Sequence, residues 1–388
     1  MMIEGAYMHR NTYVKIDLNT LENNVKNIVN YYDNYKYYIG VVKANAYGYG
    51  EEIVSTITKR GINYLAVSNL DEALNVRSYV DTPILCLEPI PFKYLDTCIK
   101  KNITITLSNY DDYKDLKKEN INGLKIHLKI DSGMHRLGFT NKKIVKEVYD
   151  DLKSNIEGIY THLATSGIYD KKYDKQIKTF EDITSLIDLS KIKIVHVGRS
   201  ATIVNHDKLP YVNGTRIGIL MYGITPNNII YTGLMGKIRR IKRDLYLKKN
   251  NISKTNLICP IKVNQCFKLI SEIIEIKEVK AGESVGYGMS NITNNNIKIG
   301  IIPVGYADGF DIRNTGNYVR INKSLCKIIG SVNSGMITVI INDNVKIHDE
   351  VEVIYDVKKT ASYTNQTVYT VTSSINSNVK RIYEGKDA

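Results

Sequence analysis

Short apolar runs alternate with amphipathic helical stretches from Tyr37 to about Tyr222. Strands that alternate with helices imply right-handed βαβ units and a parallel sheet. The eight apolar runs are Tyr37–Val42, Tyr64–Val67, Pro83–Leu87, Ile103–Leu107, Leu124–Ile130, Ile156–Tyr160, Ile192–Val197 and Ile217–Leu220. Eight such units fit a closed (β/α)8 barrel. A doubly wound open sheet is the alternative, but no Gly-x-Gly-x-x-Gly motif follows the first run.

The pattern changes in the last third of the chain. Short and often alternating runs, separated by Gly and Asn, predict an all-β domain there. These runs are Lys268–Val279, Ile297–Val304, Ser324–Val332, Met336–Ile341 and Glu350–Ile354. We therefore predict an α/β protein with a (β/α)8 barrel over residues 12–240 and a β domain over residues 255–385. The strand predicted at residues 13–17 is a candidate to pack with the β domain.

Composition indicates an ordinary soluble globular protein of 388 residues, with 43% hydrophobic and 24% charged residues. No apolar run approaches the roughly 20 residues that span a bilayer, and Met1 to Arg10 lacks the apolar core of a secretory signal. The five cysteines are odd in number and form no Cys-x-x-Cys pair, which favours free thiols in a reducing compartment. We predict a cytoplasmic protein with no membrane partner and no metal site.

The net charge of +13 keeps open a function of a different class, a basic nucleic-acid-binding protein. Much of the excess, however, lies in one patch, Lys237–Arg243, which is followed by Lys248 and Lys249. A charge run of this kind is usually a solvated face, and here it is interpreted as an insertion between the two domains. No nucleic-acid partner is expected.

Lys43 follows the first strand run at a point where a helix has yet to begin. An amine held there by a rigid element can be partly desolvated and can react with an aldehyde cofactor. A solvated loop lysine is the simpler interpretation of this position. The surrounding sequence, Lys-Ala-Asn-Ala-Tyr-Gly over residues 43–48, favours the cofactor.

Polar groups also follow the later barrel strands, where the active site of such a barrel lies. His162 alone would be interpreted as a core histidine, and Arg136 alone as an ion-pair partner. Five strand ends that all carry such groups are hard to explain by packing. The segments are Lys43, Lys129–Phe139, Tyr160–His162, Gly198–Ala201 and Arg216–Gly223. In the last of them, Arg216 opens the eighth predicted strand and Met221–Gly223 closes it.

From about Tyr13 through Arg381 the chain resembles the alanine racemase family. One matching motif would be weak support, but six in the family's order, spread over both predicted domains, identify it as a member. The motifs are Lys43–Gly48, Lys129–Phe139, Tyr160–His162, Arg216–Gly223, Ala281–Gly288 and Ile302–Gly309.

The resemblance implies an amino-acid racemase that uses pyridoxal phosphate and supplies D-alanine for peptidoglycan. Lys43 would hold the cofactor and act as the base on one face of the substrate's α-carbon. Tyr287, from the other subunit of a head-to-tail homodimer, would act on the opposite face, with His162 and Arg216 among its neighbours. Racemisation requires two opposed bases, because a proton removed from one face must return on the other.

The resemblance also assigns the groups that bind the cofactor and the substrate. Lys129 matches a family lysine that is often carboxylated on its amine, which would let it orient Arg136. Arg136 would contact the cofactor's phenolic oxygen or the substrate carboxylate, and Tyr306 and Ser334 would contact the substrate. The remaining cofactor contacts implied are Tyr47, Ser200, Tyr222 and the N–H groups of Gly218 and Ile219 for the phosphate, with His162 and Arg216 near the ring.

Three departures from the family pattern concern the substrate. Arg199 replaces an Asn, Asn333–Gly335 replaces a Cys-Met-Asp run, and Ser377 replaces a Tyr. Ser334 in place of Met and Ser377 in place of Tyr remove bulk and add hydroxyls, and the lost Asp removes a negative charge. We therefore expect a roomier and more polar pocket, and a racemase of serine or another larger amino acid is the alternative function. A decarboxylase on the related plan would need a cysteine-bearing substrate motif in the β domain, and Cys326 has no such neighbourhood.

Overall fold

The structure is a computed structural model, and it describes residues 10–167, 169–226, 233–253, 259–289 and 291–385. The chain divides into two compact units. The barrel unit comprises Leu21–Ala44 and Glu51–Asn264, and the β unit comprises the other described residues. Strands and helices are numbered along the chain.

Eight parallel strands close into the barrel, each paired with the next and the last with the first. The strands are β2 (Tyr37–Val41), β3 (Tyr64–Val67), β4 (Ile84–Cys86), β5 (Ile103–Leu107), β6 (Ile126–Ile130), β7 (Ile156–Thr161), β8 (Ile194–Gly198) and β9 (Gly214–Ile217). The helices are α1 (Leu18–Tyr31), α2 (Lys43–Tyr47), α3 (Ile53–Thr58), α4 (Leu70–Arg77), α5 (Leu95–Lys100), α6 (Tyr110–Leu116), α7 (Lys142–Asp151), α8 (Lys171–Thr184), α9 (Ser200–Asn205) and α10 (Gly233–Lys249).

Most residues of the barrel strands are apolar, because parallel strands are covered on both faces. Ile39, Leu65 and Leu85, for example, are completely buried. Polar residues with short side chains start several of the helices that follow, since they accept the unpaired N–H groups of the first turn. The caps are Asn69 for α4, Asn109 for α6, Asn141 for α7 and Asp170 for α8.

The prediction for the eighth strand was misplaced. The strand is Gly214–Ile217, not Ile217–Leu220, and residues 219–223 form turns after it. Arg216 therefore lies inside the strand rather than at its opening. Thr215 and Arg216 are buried polar residues, so the strand does not coincide with the apolar run that the prediction used.

The β unit contains a nine-stranded sheet in the order β11-β14-β17-β16-β15-β18-β10-β1-β19. Strand β1, the first strand of the chain, pairs antiparallel with β10 and parallel with β19. The nine strands are β1 (Tyr13–Asp17), β10 (Phe267–Glu272), β11 (Glu275–Val279), β14 (Ile297–Ile302), β15 (Tyr318–Ile321), β16 (Ser324–Ile329), β17 (Ile337–Ile341), β18 (Glu350–Ile354) and β19 (Lys380–Glu384). A separate two-stranded sheet pairs β12 (Ser284–Val285) with β13 (Asn291–Ile292). Two short helices, α11 (Val357–Tyr363) and α12 (Val368–Ser373), complete the unit.

The predicted fold class, a (β/α)8 barrel with a second β domain, is confirmed. The predicted barrel limit at residue 240 falls inside α10, and the barrel unit continues to Asn264. Residues 227–232 and 254–258, within the predicted boundary region, lie outside the described residues. Among the described residues, none of the helices combines the length and apolarity that a bilayer crossing requires.

Candidate active site

Lys43 lies directly beyond the carboxyl end of β2, with its side chain half-buried. Glu72, in the first turn of α4, fixes the backbone at this point. Its Oε1 accepts the N–H of Ala44 at 2.8 Å, and its Oε2 accepts the N–H of Ser68 at 2.7 Å. One carboxylate thus holds together the segments that follow β2 and β3, so Lys43 projects from a braced main chain.

The four residues after Lys43 form a left-handed turn. Ala44, Asn45, Ala46 and Tyr47 have φ between 50° and 54°, a conformation that costs non-glycine residues roughly 1–2 kcal/mol each. Such strain persists only where the surrounding contacts impose it. Within the β unit, the Tyr47 ring contacts that of Tyr369, with 5.0 Å between their centroids.

Arg216 is buried in β9, and it donates to four acceptors. Nη1 lies 2.5 Å from Nδ1 of His196 and 3.0 Å from its carbonyl oxygen. Nη2 donates to the carbonyl oxygens of Thr161 at 2.6 Å and Val197 at 3.3 Å. Burial lowers the pKa of Arg216 to about 10, so the guanidinium remains charged near neutrality. Its Nε–H makes no hydrogen bond to the described residues.

A chain of buried polar groups continues from Arg216 into the barrel. Because a guanidinium only donates, Nδ1 of His196 accepts and its Nε2–H donates to Nδ1 of His127 at 2.9 Å. Burial lowers the pKa of both histidines, which are therefore neutral. Nε2 of His127 lies 3.7 Å from Oε2 of Glu157, whose carboxylate also accepts from Tyr64 at 2.7 Å.

Cations dominate the mouth of the barrel. Burial, reinforced by Arg216 and Arg199, lowers the pKa of His162 to about 2, so this side chain is neutral. Burial and the neighbouring Arg136 lower the pKa of Lys129 to about 8. Arg136 itself is exposed. Nε of Arg199 is buried without a hydrogen-bond partner among the described residues.

The predicted phosphate contacts in the barrel unit lie around the start of α9. The hydroxyl of Ser200 accepts the N–H of Gly218 at 3.0 Å and that of Leu220 at 3.5 Å. Tyr222 is buried and donates to the carbonyl oxygen of Val41 at 3.0 Å. Ile219 lies in the turn between Gly218 and Tyr222. The structure therefore brings Ser200 and Gly218 into direct contact.

Tyr287 lies in the β unit, in a 3-10 turn between β12 and β13. Its side chain is 77% exposed. The flanking Gly286 and Gly288 have φ of 83° and 74°, which L side chains rarely adopt. The two glycines thus allow a tight turn that presents the tyrosine outward.

Tyr306 and Ser334 come together in the β unit. The N–H of Tyr306 donates to the carbonyl oxygen of Asn333, and that of Ala307 to Ser334, both at 2.9 Å. A Cβ on Gly305 would stand 2.2 Å from the Asn333 oxygen, so only glycine permits this approach. Both Tyr306 and Ser334 are exposed.

Sequence reasoning missed Glu72, His127, His196 and Glu157. The sequence could have indicated His127, because it lies two residues before Lys129 and therefore on the same face of strand β6. The role of Glu72 depends on contacts between two βα units, which no local pattern encodes.

Comparison with known proteins bears on both units. Residues 16–226 match the family described as "Alanine racemase, N-terminal domain", and residues 266–383 match "Alanine racemase, C-terminal domain". An alanine racemase of Streptococcus pyogenes serotype M2 is 30% identical, over 97% of this chain and 99% of the relative.

Two solved structures are also similar. The alanine racemase from Bacillus anthracis with bound L-Ala-P is 27% identical with a TM-score of 0.84, over 99% of this chain and 97% of that one. A histidine racemase from Leuconostoc mesenteroides subsp. sake shares the fold at 20% identity with a TM-score of 0.81, over 98% and 99% of the two chains.

Proposed function

The chain belongs to the alanine racemase family, whose members depend on pyridoxal phosphate, and we propose that it interconverts L- and D-alanine with Lys43 and Tyr287 as the two bases. The observation that carries this proposal is the position of Lys43 at a braced strand end of a barrel whose mouth holds several cations. Racemisation of alanine at that mouth would supply D-alanine for peptidoglycan.

The residues present fit pyridoxal phosphate. Arg199 has a buried Nε without a partner among the described residues, so a donor is available for an anion. The phosphate would lie at Ser200, Gly218, Ile219, Tyr222 and Tyr47, where it would accept the Gly218 N–H in place of the Ser200 hydroxyl and leave that hydroxyl to donate as well. The Nε–H of Arg216 would face the pyridine nitrogen, while its two Nη groups remain bound to the barrel.

Bound pyridoxal phosphate supplies the electron sink that acidifies the substrate's α-proton. Lys43 would take or return that proton on one face and the Tyr287 hydroxyl on the other. Arg216 stays charged and cannot readily give up a proton to the ring nitrogen, which limits the electron sink and favours prompt reprotonation. His162 is neutral, so it would orient the Tyr287 hydroxyl as a hydrogen-bond partner rather than as a cation.

The proposal includes a cytoplasmic homodimer in which Tyr287 serves the barrel of the partner subunit. The 77% exposure of its side chain supports this arrangement, because an isolated chain leaves the tyrosine unburied. The glycines on either side give the turn the shape needed to extend from the β unit.

Lys129 is proposed to be carboxylated. Only a neutral amine reacts with carbon dioxide, and the pKa of Lys129 is lowered to about 8, so a substantial neutral fraction exists under mildly alkaline conditions. The resulting anion would hold Arg136 toward the substrate carboxylate.

A larger substrate such as serine is the second candidate. A Cβ on Gly335 would meet nothing within 4 Å, and Ser334 is exposed, so space exists beside the proposed substrate residues of the β unit. The fold shared with a histidine racemase is compatible with this alternative.

Chiral chromatography of each L-amino acid after incubation with purified protein and pyridoxal phosphate tests the proposal. D-alanine should form fastest with the wild type, and Lys43→Ala and Tyr287→Phe should each lose that activity. Faster conversion of serine or another larger amino acid would transfer the proposal to that substrate. If no amino acid is racemised, the proposed function is wrong.

A further inference from the structure

Helix α10 lies in a segment that neither family match covers, since the matches end at residue 226 and resume at residue 266. The helix is attached to the barrel unit along one side. Leu247 is buried, and the hydroxyl of Tyr246 donates to the carboxylate of Asp174 in α8 at 2.8 and 2.9 Å. The racemase site uses none of these residues.

The outer side of α10 carries an exposed apolar stripe, defined here as Ile238, Ile241 and Leu245. Their exposed fractions are 40%, 60% and 63%. Their spacing of three and four residues places them on one face of a helix that turns about 100° per residue. Leu247 lies on roughly the opposite side, so the stripe points away from the barrel.

Lysines border the apolar stripe on both edges. Helical geometry places Lys237 and Lys248 along one edge and Lys242 and Lys249 along the other. All four side chains are exposed, and none forms an ion pair with a described residue. The one acidic residue of the helix, Asp244, is paired with Arg243. The outer face is therefore apolar in the middle and cationic at both margins.

We propose that this face of α10 docks the enzyme on an anionic phospholipid bilayer. A helix that lies in the interface buries its apolar stripe at the level of the headgroups, while lysine stems reach the lipid phosphates. The expectation of no membrane partner rested on the absence of a spanning segment, which an interfacial helix does not need.

Two other occupants fit the face less well. Nucleic acid would use the lysines but offers no apolar phase for Ile241 and Leu245. A second copy of the chain could cover the stripe, but it would bring the lysine margins of two helices close together, and like charges repel. A bilayer satisfies the apolar and the cationic parts together.

A tryptophan reporter gives a direct test, since the chain contains no tryptophan. Leu245→Trp places the sole indole on the stripe, and Leu186→Trp places it on another exposed leucine of the barrel unit, 46% exposed. With vesicles of phosphatidylcholine and phosphatidylglycerol, the emission of Leu245→Trp should shift to shorter wavelength and that of Leu186→Trp should not. Equal shifts, or none, would overturn the proposal.

Vesicle co-sedimentation then separates the apolar and the cationic contributions. Lys242→Glu and the double variant Ile241→Ser with Leu245→Ser should each bind anionic vesicles more weakly than the wild type does. For Lys242→Glu the loss should be at least about fivefold, because the attraction of one lysine to the anionic surface is worth ~1 kcal/mol. Lys153→Glu, at an exposed lysine outside α10, should weaken binding less than Lys242→Glu does. Unchanged circular dichroism and racemase activity would show that the variants are folded.

Three results would contradict membrane docking. Binding that the double serine variant leaves unchanged would be mere adsorption of a cationic protein. A concentration-dependent rise in mass by light scattering that this variant abolishes would assign the stripe to a second copy. Tighter binding to an oligonucleotide than to the vesicles, lost in Lys242→Glu alone, would assign the face to nucleic acid.

Discussion

Glu157 is the best place to test the buried polar chain behind Arg216. Its Oε2 accepts from the Tyr64 hydroxyl at 2.7 Å, and its Oε1 accepts from Lys193 at 2.6 Å. Glu157→Gln keeps the shape but replaces one acceptor oxygen by a donor NH2 group, which must then face either Tyr64 or Lys193. The variant should be less stable than the wild type, because either Lys193 then faces a donor or the Tyr64 hydroxyl exchanges a charged acceptor for the neutral hydroxyl of Thr104 at 2.5 Å.

The expected loss follows from the environment of each bond. A hydrogen bond to a buried charged group is worth about 1.5–3 kcal/mol. The Lys193 side chain is 56% exposed, so its ion pair adds no more than about 1 kcal/mol. We expect a decrease of roughly 2 kcal/mol in the free energy of unfolding, most of it from the contact with Tyr64.

The difference between variant and wild type should also depend on pH. Burial raises the pKa of Glu157, but the surrounding donors, including Lys193 and Tyr64, outweigh it and hold the pKa below its usual range. A group with a lowered folded-state pKa stabilises the fold above its unfolded pKa, about 4.3 for glutamate. The advantage of the wild type should therefore be constant near neutrality and decrease as the pH falls below about 4.3.

Urea unfolding at several pH values measures this difference. Glu147→Gln is the matched control, because Glu147 accepts from the Tyr110 hydroxyl at 2.9 Å on the surface, and it should change stability by less than about 0.5 kcal/mol. Equal effects of the two substitutions, or a loss at Glu157 that does not decrease in acid, would refute the account of this buried chain.

Three further predictions concern the site. Gly305→Ala should destabilise the protein, since its Cβ would stand 2.2 Å from the Asn333 oxygen, whereas Gly335→Ala should not; thermal unfolding would show both. Lys129 should give a carbamate signal with 13C-bicarbonate by NMR that grows as the pH rises toward 8, its pKa being about 8, and that Lys129→Arg lacks. Arg199→Asn should weaken pyridoxal phosphate binding about tenfold in equilibrium dialysis, because a buried donor is lost; an unchanged affinity would exclude Arg199 from the cofactor site.

The barrel was predictable because seven of its eight strands are apolar runs covered on both faces, and such runs are visible in the sequence. The eighth strand was misplaced because the apolar run Ile217–Leu220 begins at its last residue, whereas Thr215 and Arg216 in its interior are polar. Strand β1 pairs with β10 and β19, which are far from it in the chain. The alternating pattern of residues 13–17 predicts a strand but does not identify its partners.

The candidate site was predictable only as a set of strand ends. Motif and topology pointed to Lys43, His162 and Arg216, but the partners that fix Arg216 come from other strands, and their pairing depends on the closed barrel. The left-handed turn after Lys43 contains two Ala and one Tyr, which rarely adopt positive φ, and only Asn45 is of a type that favours it. Tertiary contacts, not local preference, determine such conformations.

Mixing the two inactive variants Lys43→Ala and Tyr287→Phe tests the central claim most directly. If each site combines Lys43 of one chain with Tyr287 of the partner, random re-association gives heterodimers with one intact site, and about a quarter of the wild-type racemisation should return. If both bases came from one chain, or if either residue were not a base, the mixture would be no more active than the separate variants.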